Sequence, residues 1–486
     1  MDRSVAQGRL ADPDTASLSD AHYARWMAIA VGLLLALMSL AVYLATATDH
    51  YYNHFVWQAA AFLEGHAAIR YPVLSVGGAP GNDYFQDVLP IVTTDGVPRG
   101  LLPFPPLPAL VLLPFVALWG LATDDQAIFI ILAATDVAIC WWALGRLPVR
   151  PAIRLCTTLF FAFGTVFWYS AQLSTTWYQA HIAAVGLTFL AIGIALGGDS
   201  RPVSDEIEPT ASAARTRCVR GRLAIDPRQF VAGFLFGLAC TARLTVIFGA
   251  PFFVFVGGGR DWRRRTWSAG LGAALPVLAL IAYNVVTTGH VFHPAYDYLY
   301  QLESYGYPSL GYRPDWAVED PRYVPQNLGI ALFGLPDILP SALPDSLAIA
   351  PPPVCTDPGA IRGLFDLACP LAVPRDTGMS VILTSPAYLL AIGTLGRHGR
   401  RRIVGGAVAA VAAIAFVNLM HFSQGWVQFG YRFSNDAAPF ALLLVALGVQ
   451  RLADRRSWGM ALAAGLIGLS VAINLWGVLW SRLLGW

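Results

Sequence analysis

Eight long apolar runs divide this chain: Met27 to Thr46, Ala127 to Leu144, Leu155 to Ser170, Ala180 to Leu196, Trp267 to Val286, Met379 to Leu395, Ile403 to Met420 and Trp458 to Trp480. A helix that crosses a bilayer needs about 20 predominantly apolar residues, with roughly 17 to 25 tolerated. Shorter runs lie at Phe104 to Leu121, Phe230 to Val256 and Phe440 to Val449. The composition agrees, being 56% hydrophobic and 13% charged with a mean hydropathy of +0.55. A soluble domain is about 25% charged, so a soluble enzyme, a disordered chain and a basic nucleic-acid binder are excluded, and the lipid bilayer is the expected partner.

Arginine fixes the sides. All 32 basic residues are Arg, and short cytoplasmic loops are enriched in basic residues. The clusters are Arg146, Arg150 and Arg154; Arg215, Arg217, Arg220, Arg222 and Arg228; Arg260, Arg263, Arg264 and Arg265; Arg397, Arg400, Arg401 and Arg402; and Arg451, Arg455 and Arg456. With the N-terminus inside, the first cluster is cytoplasmic if Phe104 to Leu121 does not cross, as its four prolines suggest, so a juxtamembrane or re-entrant helix is expected there. Phe230 to Val256 lies between two clusters and must cross an even number of times. It is predicted as two half-helices meeting near Thr241-Ala242-Arg243-Leu244-Thr245, irregular backbone that lipid tolerates only where protein or a watery cavity encloses it.

The expected fold is an all-α polytopic membrane protein with about 11 transmembrane helices and juxtamembrane helices. Residues 1–26 form a cytoplasmic tail ahead of an uncleaved first span, and 27–486 form one transmembrane domain. Two large exterior loops, 48–126 and 287–378, belong to it. Cys355 and Cys369 are the two cysteines in those loops, where an oxidising compartment would permit their pairing.

The chemistry-bearing residues lie on the outer side. Asp49 follows the first span in Thr48-Asp49-His50-Tyr51-Tyr52-Asn53-His54, ahead of an interfacial helix from Phe55 to Leu63 that closes on Gly65. A carboxylate there reads either as a general base for an acceptor hydroxyl or as the N-cap of that helix. Asp83, Asp87 and Asp95 lie in a Gly- and Pro-rich stretch and read as sugar or metal contacts or as solvated loop acids. His290 and His293 with Asp297 fall short of a zinc ligand set. Tyr296, Tyr298, Tyr300, Tyr305, Tyr307, Tyr312 and Trp316 read as an interfacial aromatic belt or a platform for a sugar or prenyl chain. Gln424 to Asp436 is a short polar connection. Its Arg432, like Arg243, stands outside the cytoplasmic clusters and suits bidentate phosphate recognition. The alternative for Arg243 is an intramembrane pair with Asp136.

At these residues the chain resembles the GT-C class of membrane glycosyltransferases, the superfamily of protein O-mannosyltransferases and lipid A aminoarabinose transferases. The resemblance is carried by the acidic residue after the first span with its helix (Asp49 to Gly65), Phe104-Pro105-Pro106-Leu107-Pro108, Gly164-Thr165, the turn at Gly237 to Arg243, and Tyr431 to Asp436. It implies a GT-C-like fold, a polyprenyl-phosphate sugar donor, a glycan, lipid or protein acceptor, and inverting transfer on the outer face of a bacterial plasma membrane. Asp49 would be the base, with Asp87 the alternative catalytic acid for that role. Asn53, His54, Arg243, Gln428, Tyr431, Arg432 and Asp436 would contact substrate, the arginines steadying the departing phosphate. No cofactor is required, and a divalent metal stays open because metal dependence varies across the superfamily. The chain departs from the family at His50, where a second acid is expected, in a spacing to Gly65 one residue longer, and at Phe104, where Lys or His is expected. A lipid or small-molecule transporter or flippase is the competing class, and a non-catalytic envelope protein is a third.

Overall fold

The structure, a computed structural model, describes residues 13–50, 52–70, 87–92, 96, 98–199, 225–258, 261–297, 313, 315–344, 351–394, 401–423, 425 and 427–486. Asp83, Asp95, Tyr298, Tyr300, Tyr305, Tyr307, Tyr312, Gln424 and Trp426 lie outside the described residues, as do Arg215, Arg217, Arg220, Arg222, Arg260, Arg397 and Arg400.

Helices dominate. In chain order they are α1 (Pro13–Thr46), α2 (His54–Leu63), α3 (Leu107–Trp119), α4 (Asp125–Leu144), α5 (Pro151–Phe163), α6 (Phe167–Leu173), α7 (Thr176–Asp199), α8 (Pro227–Cys240), α9 (Pro251–Phe255), α10 (Trp262–Thr288), α11 (Val324–Phe333), α12 (Val381–Thr384), α13 (Arg401–Met420), α14 (Ser434–Arg455) and α15 (Gly459–Leu484). The all-α expectation needs one amendment, because the loop regions 48–126 and 287–378 carry small antiparallel sheets. Ile69–Arg70, Pro98–Leu101 and Leu89–Val92 form one in that order, and Asp337–Ile338 pairs with Ala372–Val373 in another.

Among the described residues, seven helices are long and apolar enough to cross a membrane: Arg25–Thr46, Asp125–Leu144, Thr176–Gly197, Trp262–Thr288, Arg402–Met420, Ser434–Arg455 and Gly459–Leu484. An eighth span results if α5 and α6, bent by 50°, are one. The difference from about eleven has a physical origin in broken segments. Between α5 and α6, Gly164 packs so tightly on Phe160 and Ser470 that a Cβ would crowd both. Phe230 to Val256 divides as α8, a turn at Thr241 to Arg243, a 3-10 stretch Leu244–Gly249, and α9, so the break lies where parity required it. Met379 to Leu395 divides at Ser385-Pro386 into α12 and a 3-10 stretch, Pro386–Thr394, because Pro disfavours helix in the residue before it. Helix α3 is 13 residues with Pro114 inside, short of a span.

Packing explains how the broken segment is held. In α8, Gly233 and Gly237 form a G-x-x-x-G face against α10, where a Cβ on either would run into the backbone at Ala269 or Ala273, and Gly272 of α10 meets the α8 backbone at Phe230. Small residues let membrane helices approach this closely. The tip of the segment also meets α3, whose Leu107 N–H donates to Thr241 O (3.3 Å). At the opposite end of the bundle lie the Arg-rich connections, where Arg228 Nη1 donates to Gly197 O (2.6 Å) and Arg150 pairs with Asp454 (2.6 Å).

Candidate functional site

The turn at the tip of α8 places Arg243 beside the first turn of α14. Cys240 ends the helix, Thr241 Oγ1 turns back to Leu238 O, and Arg243 is extended. Its guanidinium reaches Asp436, with Nη2 at 2.9 Å from Oδ2 and Nε at 3.3 Å from Oδ1. Asp436 is fully buried. It also accepts from His181 Nδ1 (2.8 Å), Thr245 Oγ1 (2.6 Å) and Asn418 Nδ2 (3.3 Å). An ionised carboxylate only accepts, at about four lone-pair positions, so these five donor contacts saturate it, and His181 must carry its proton on Nδ1. Asp436 is therefore a hub joining α7, the α8 tip, α13 and α14, with no acceptor capacity left for a substrate. The pairing of Arg243 with Asp136 expected as one alternative does not form. Asp136 is buried in α4 against Gly186.

Arg432 stands near Arg243. Its Cζ lies 5.5 Å from the Phe433 ring, and that of Arg243 lies 5.1 Å from the same ring, so one aromatic wall serves two guanidinium groups. Arg432 also lies over Tyr178 at 5.2 Å. Its position is set by its backbone, whose N–H donates to Gln428 Oε1 (2.9 Å), and by Gly425 (φ +83°), where a Cβ would press on the guanidinium. Its Nε finds no hydrogen-bond partner among the described residues.

Asp87 enters from the exterior loop in the left-handed region, at φ 64°, a conformation Asp tolerates better than most residues. Trp177 Nε1 donates to its Oδ2 at 2.5 Å. Burial pushes the Asp87 carboxyl above its ordinary value, opposed by the Trp177 hydrogen bond and by the charge of Arg432. Trp177 and His181 are four residues apart on α7 and so share a face, which brings the Asp87 contact and the Asp436 hub to the same side of one helix. Tyr296 lies within electrostatic reach of both sides: its hydroxyl is pushed up to about 12, chiefly by burial, with Arg243 opposing and the charges of Glu319 and Asp87 adding to the rise. Glu319 in turn contacts His421 (3.2 Å), whose ring lies 5.9 Å from Phe433.

The other expected residues divide. Asp49 is exposed beside the start of α4, where Gln126 Nε2 holds Thr48 O (2.8 Å). Its electrostatic neighbour is His50, which burial lowers to about 4 against the opposing charges of Asp124 and Asp49. The cap position of α2 belongs to Asn53, not Asp49, and Asn53 fills it with its backbone and no side-chain bond. His54 is buried with Nδ1 at 2.9 Å from Thr176 Oγ1 and stacks toward Tyr52 and Trp177. Phe104, the departure from the family pattern, packs on His54 and Phe55. Gln428 and Tyr431 are buried and turned inward, Gln428 toward Arg432 N and Thr377 O, Tyr431 toward Asn418 O. Burial raises the Tyr431 hydroxyl.

Among the described residues no group of three or more His, Cys, Asp or Glu is placed to hold a metal ion, and His293 uses Nδ1 to accept from Ala295 N (3.2 Å). The residues that sequence reasoning missed are Trp177, Tyr178, His181, Thr245, Asn418, Glu319 and His421. A lone His or Asn inside an apolar run is the available signal for two of them, since polar groups at membrane depth are costly. Cys355 and Cys369 form a disulfide. No protein-family model, curated protein or solved structure matches this chain.

Proposed function

We propose that this chain is a GT-C-like membrane glycosyltransferase that moves a sugar from a polyprenyl-phosphate carrier to an acceptor hydroxyl at the outer face of a plasma membrane. The observation that carries the reading is the pair of guanidinium groups on the Phe433 ring, one neutralised by Asp436 and the other within electrostatic reach of Asp87. A cation beside a second guanidinium that is charge-balanced and fixed as a donor array is suited to an oxyanion. Membrane-spanning helices suit a lipid-borne donor. The broken segments at 230–256 and 379–395, counted as crossings, bring the total back toward eleven. Arg-rich connections at the opposite end and a disulfide in the exterior loop both favour an outward-facing site.

In this reading Asp87 is the base. A carboxyl raised by burial accepts a proton more readily near neutral pH than an exposed one, and it stands on the Arg432 side of the site. The acceptor oxygen bonds to the anomeric carbon and its proton passes to Asp87. The bond from that carbon to the phosphate oxygen breaks with inversion, and the electron pair leaves on the polyprenyl phosphate beside Arg432. Asp49 keeps the peripheral role of an exposed acid at the entrance.

The test supplies the full chain in nanodiscs with radiolabelled polyprenyl-phosphate sugars and an acceptor extract. Asp87→Asn should abolish transfer, and Arg432→Met should slow it by about 10²–10³, the range for loss of one oxyanion donor. Parental transfer by Asp87→Asn with loss in Asp49→Asn would return the base to Asp49. Three interrupted apolar segments also suit a transporter, whose sites lie at broken helices. That reading demands carrier movement in proteoliposomes without any acceptor, which a transferase does not require.

A further inference from the structure

The exterior loop closed by Cys355 and Cys369 carries an apolar surface unlike that of a solvated loop. Ile361 is 89% exposed, Leu364 53% and Phe365 41%, with Leu367 and Leu371 exposed beside them. Asp357 and Asp366 stay exposed at the loop's edge, while part of its backbone and its arginine are held by internal hydrogen bonds. Cys355 N donates to Ala368 O (2.8 Å), Gly363 N to Cys369 O (2.9 Å), Leu371 N to Gly363 O (2.8 Å), and Ala368 N to Asp366 Oδ1 (2.9 Å). The one arginine of the loop, Arg362, spends Nη1 on Pro340 O (3.0 Å) and Pro370 O (2.7 Å). These internal bonds lower the cost of seating the loop at a lipid interface, where the remaining backbone groups still meet headgroups and water.

Position identifies the occupant. The loop is seated on the C-terminal end of α15, with Trp480 Nε1 donating to Leu364 O (3.1 Å) and the Phe365 ring 6.3 Å from that of Trp480. From Gly459, next to the Arg455–Arg456 pair, to Trp480 the helix rises about 32 Å at 1.5 Å per residue, which matches a hydrocarbon core of about 30 Å. Trp480, fully buried beneath the loop, thus stands at the level of the membrane boundary and sets the depth of the loop above it. Leu462, Leu469, Leu475 and Leu483 of α15 are exposed along the span, so the loop surface continues a face that already meets lipid.

We propose that the disulfide-closed loop 355–369 is a lipid-contacting element, with Ile361, Leu364 and Phe365 seated in the headgroup and upper acyl region of the leaflet at the C-terminal end of α15. Interfacial apolar groups of this kind lie roughly 5–10 Å into that boundary. The loop's formal charges are Asp357, Arg362 and Asp366, so attraction to anionic lipid does not hold it there and the contact is apolar. The inference is independent of the reaction proposed above.

The test places an environment-sensitive fluorescent amino acid at position 361 of the full chain, in nanodiscs of phosphatidylcholine and phosphatidylglycerol, and a reference probe at position 475. Lipids bearing a shallow doxyl spin label should remove most of the emission at 361, iodide in the aqueous phase should have little effect, and added salt should change neither result. Quenching by iodide with no response to doxyl lipid overturns the proposal, because the loop then stands in water. Shielding from both quenchers also overturns it, because protein, such as a second copy of the chain, then covers the patch.

Discussion

Asp436→Asn tests the hub most directly, because the structure specifies what the substitution destroys. Oδ2 accepts from Arg243 Nη2, Thr245 Oγ1 and Asn418 Nδ2 at 2.6 to 3.3 Å, and Oδ1 from His181 Nδ1 and Arg243 Nε at 2.8 and 3.3 Å. An amide keeps one acceptor oxygen and turns an N–H₂ toward donors wherever it is oriented. Arg243 loses its counter-charge, and hydrogen bonds to charged groups contribute about 1.5–3 kcal/mol each. Breaking a buried ion pair by removing one partner costs about 3–5 kcal/mol. The Arg243 side chain is 22% exposed while Asp436 is not, so partial hydration of the orphaned guanidinium selects the lower end, about 3 kcal/mol. Equilibrium unfolding of the detergent-solubilised chain in sodium dodecyl sulfate, followed by circular dichroism, measures it. Arg243→Met in the Asp436→Asn background should recover part of the loss, since removing both charges leaves none unpaired. A loss below about 1 kcal/mol, the range of an exposed pair, or no recovery in the double variant, refutes the hub.

Asp87 has a raised folded pKa, so the folded state binds its proton more tightly than the unfolded one. That contribution to stability is present below the ordinary carboxyl value of about 3.9 and is lost as pH rises toward the folded value. Asp87→Asn should therefore flatten the decline in stability across that window, and an unchanged pH profile of unfolding would count against the enclosed carboxyl. Cys355→Ser opens a loop of sequence separation 14 and should cost about 2–4 kcal/mol, with the parent showing the same loss on reduction; equal melting of the two proteins would mean that the disulfide contributes nothing. Gly233→Val inserts a side chain where the α10 backbone at Ala269 already stands. Overpacking costs typically about 1–3 kcal/mol, whereas Gly270→Val, with open space around it, should be mild, and parity between the two would contradict the close approach of α8 and α10.

Much of the scaffold was legible because its signals are local. Six of the seven membrane-length helices follow from run length alone, the seventh, Ser434–Arg455, containing only the short run Phe440 to Val449, and the break expected near Thr241 to Thr245 lies at Thr241 to Arg243. Hydropathy did not expose the break at Ser385-Pro386, because the run from Met379 to Leu395 stays apolar on both sides of it. The site was legible in part by exclusion. Arg243 and Arg432 stood out as arginines outside the cytoplasmic clusters, but the pairing of Arg243 with Asp436 is a fact of three-dimensional packing. Asp136 and Asp436 were equally available partners for Arg243 by sequence. The approach of α14 to the α8 tip decides between them. The contact between Trp177 and Asp87 spans 90 positions and has no signature in either neighbourhood.

With no Lys in the chain, arginine has to serve topology and anion binding alike, and the hub separates the two arginines of the site by role. Arg243 is matched by Asp436, which removes most of its charge as seen by a ligand and leaves it a fixed donor array. Arg432 is opposed by Asp87 at longer range and finds no partner for its Nε among the described residues. In the proposed reaction this difference matters at one moment. When Asp87 takes the acceptor proton, the negative charge opposing Arg432 disappears as negative charge accumulates on the departing phosphate, so proton transfer strengthens the cation at the point of bond cleavage. Two groups coupled in this way are not additive. If each variant removes the same transition-state interaction, Asp87→Glu, which keeps a carboxylate but moves it, combined with Arg432→Met should be scarcely slower than the slower of the two single variants, whereas independent action would multiply the two losses.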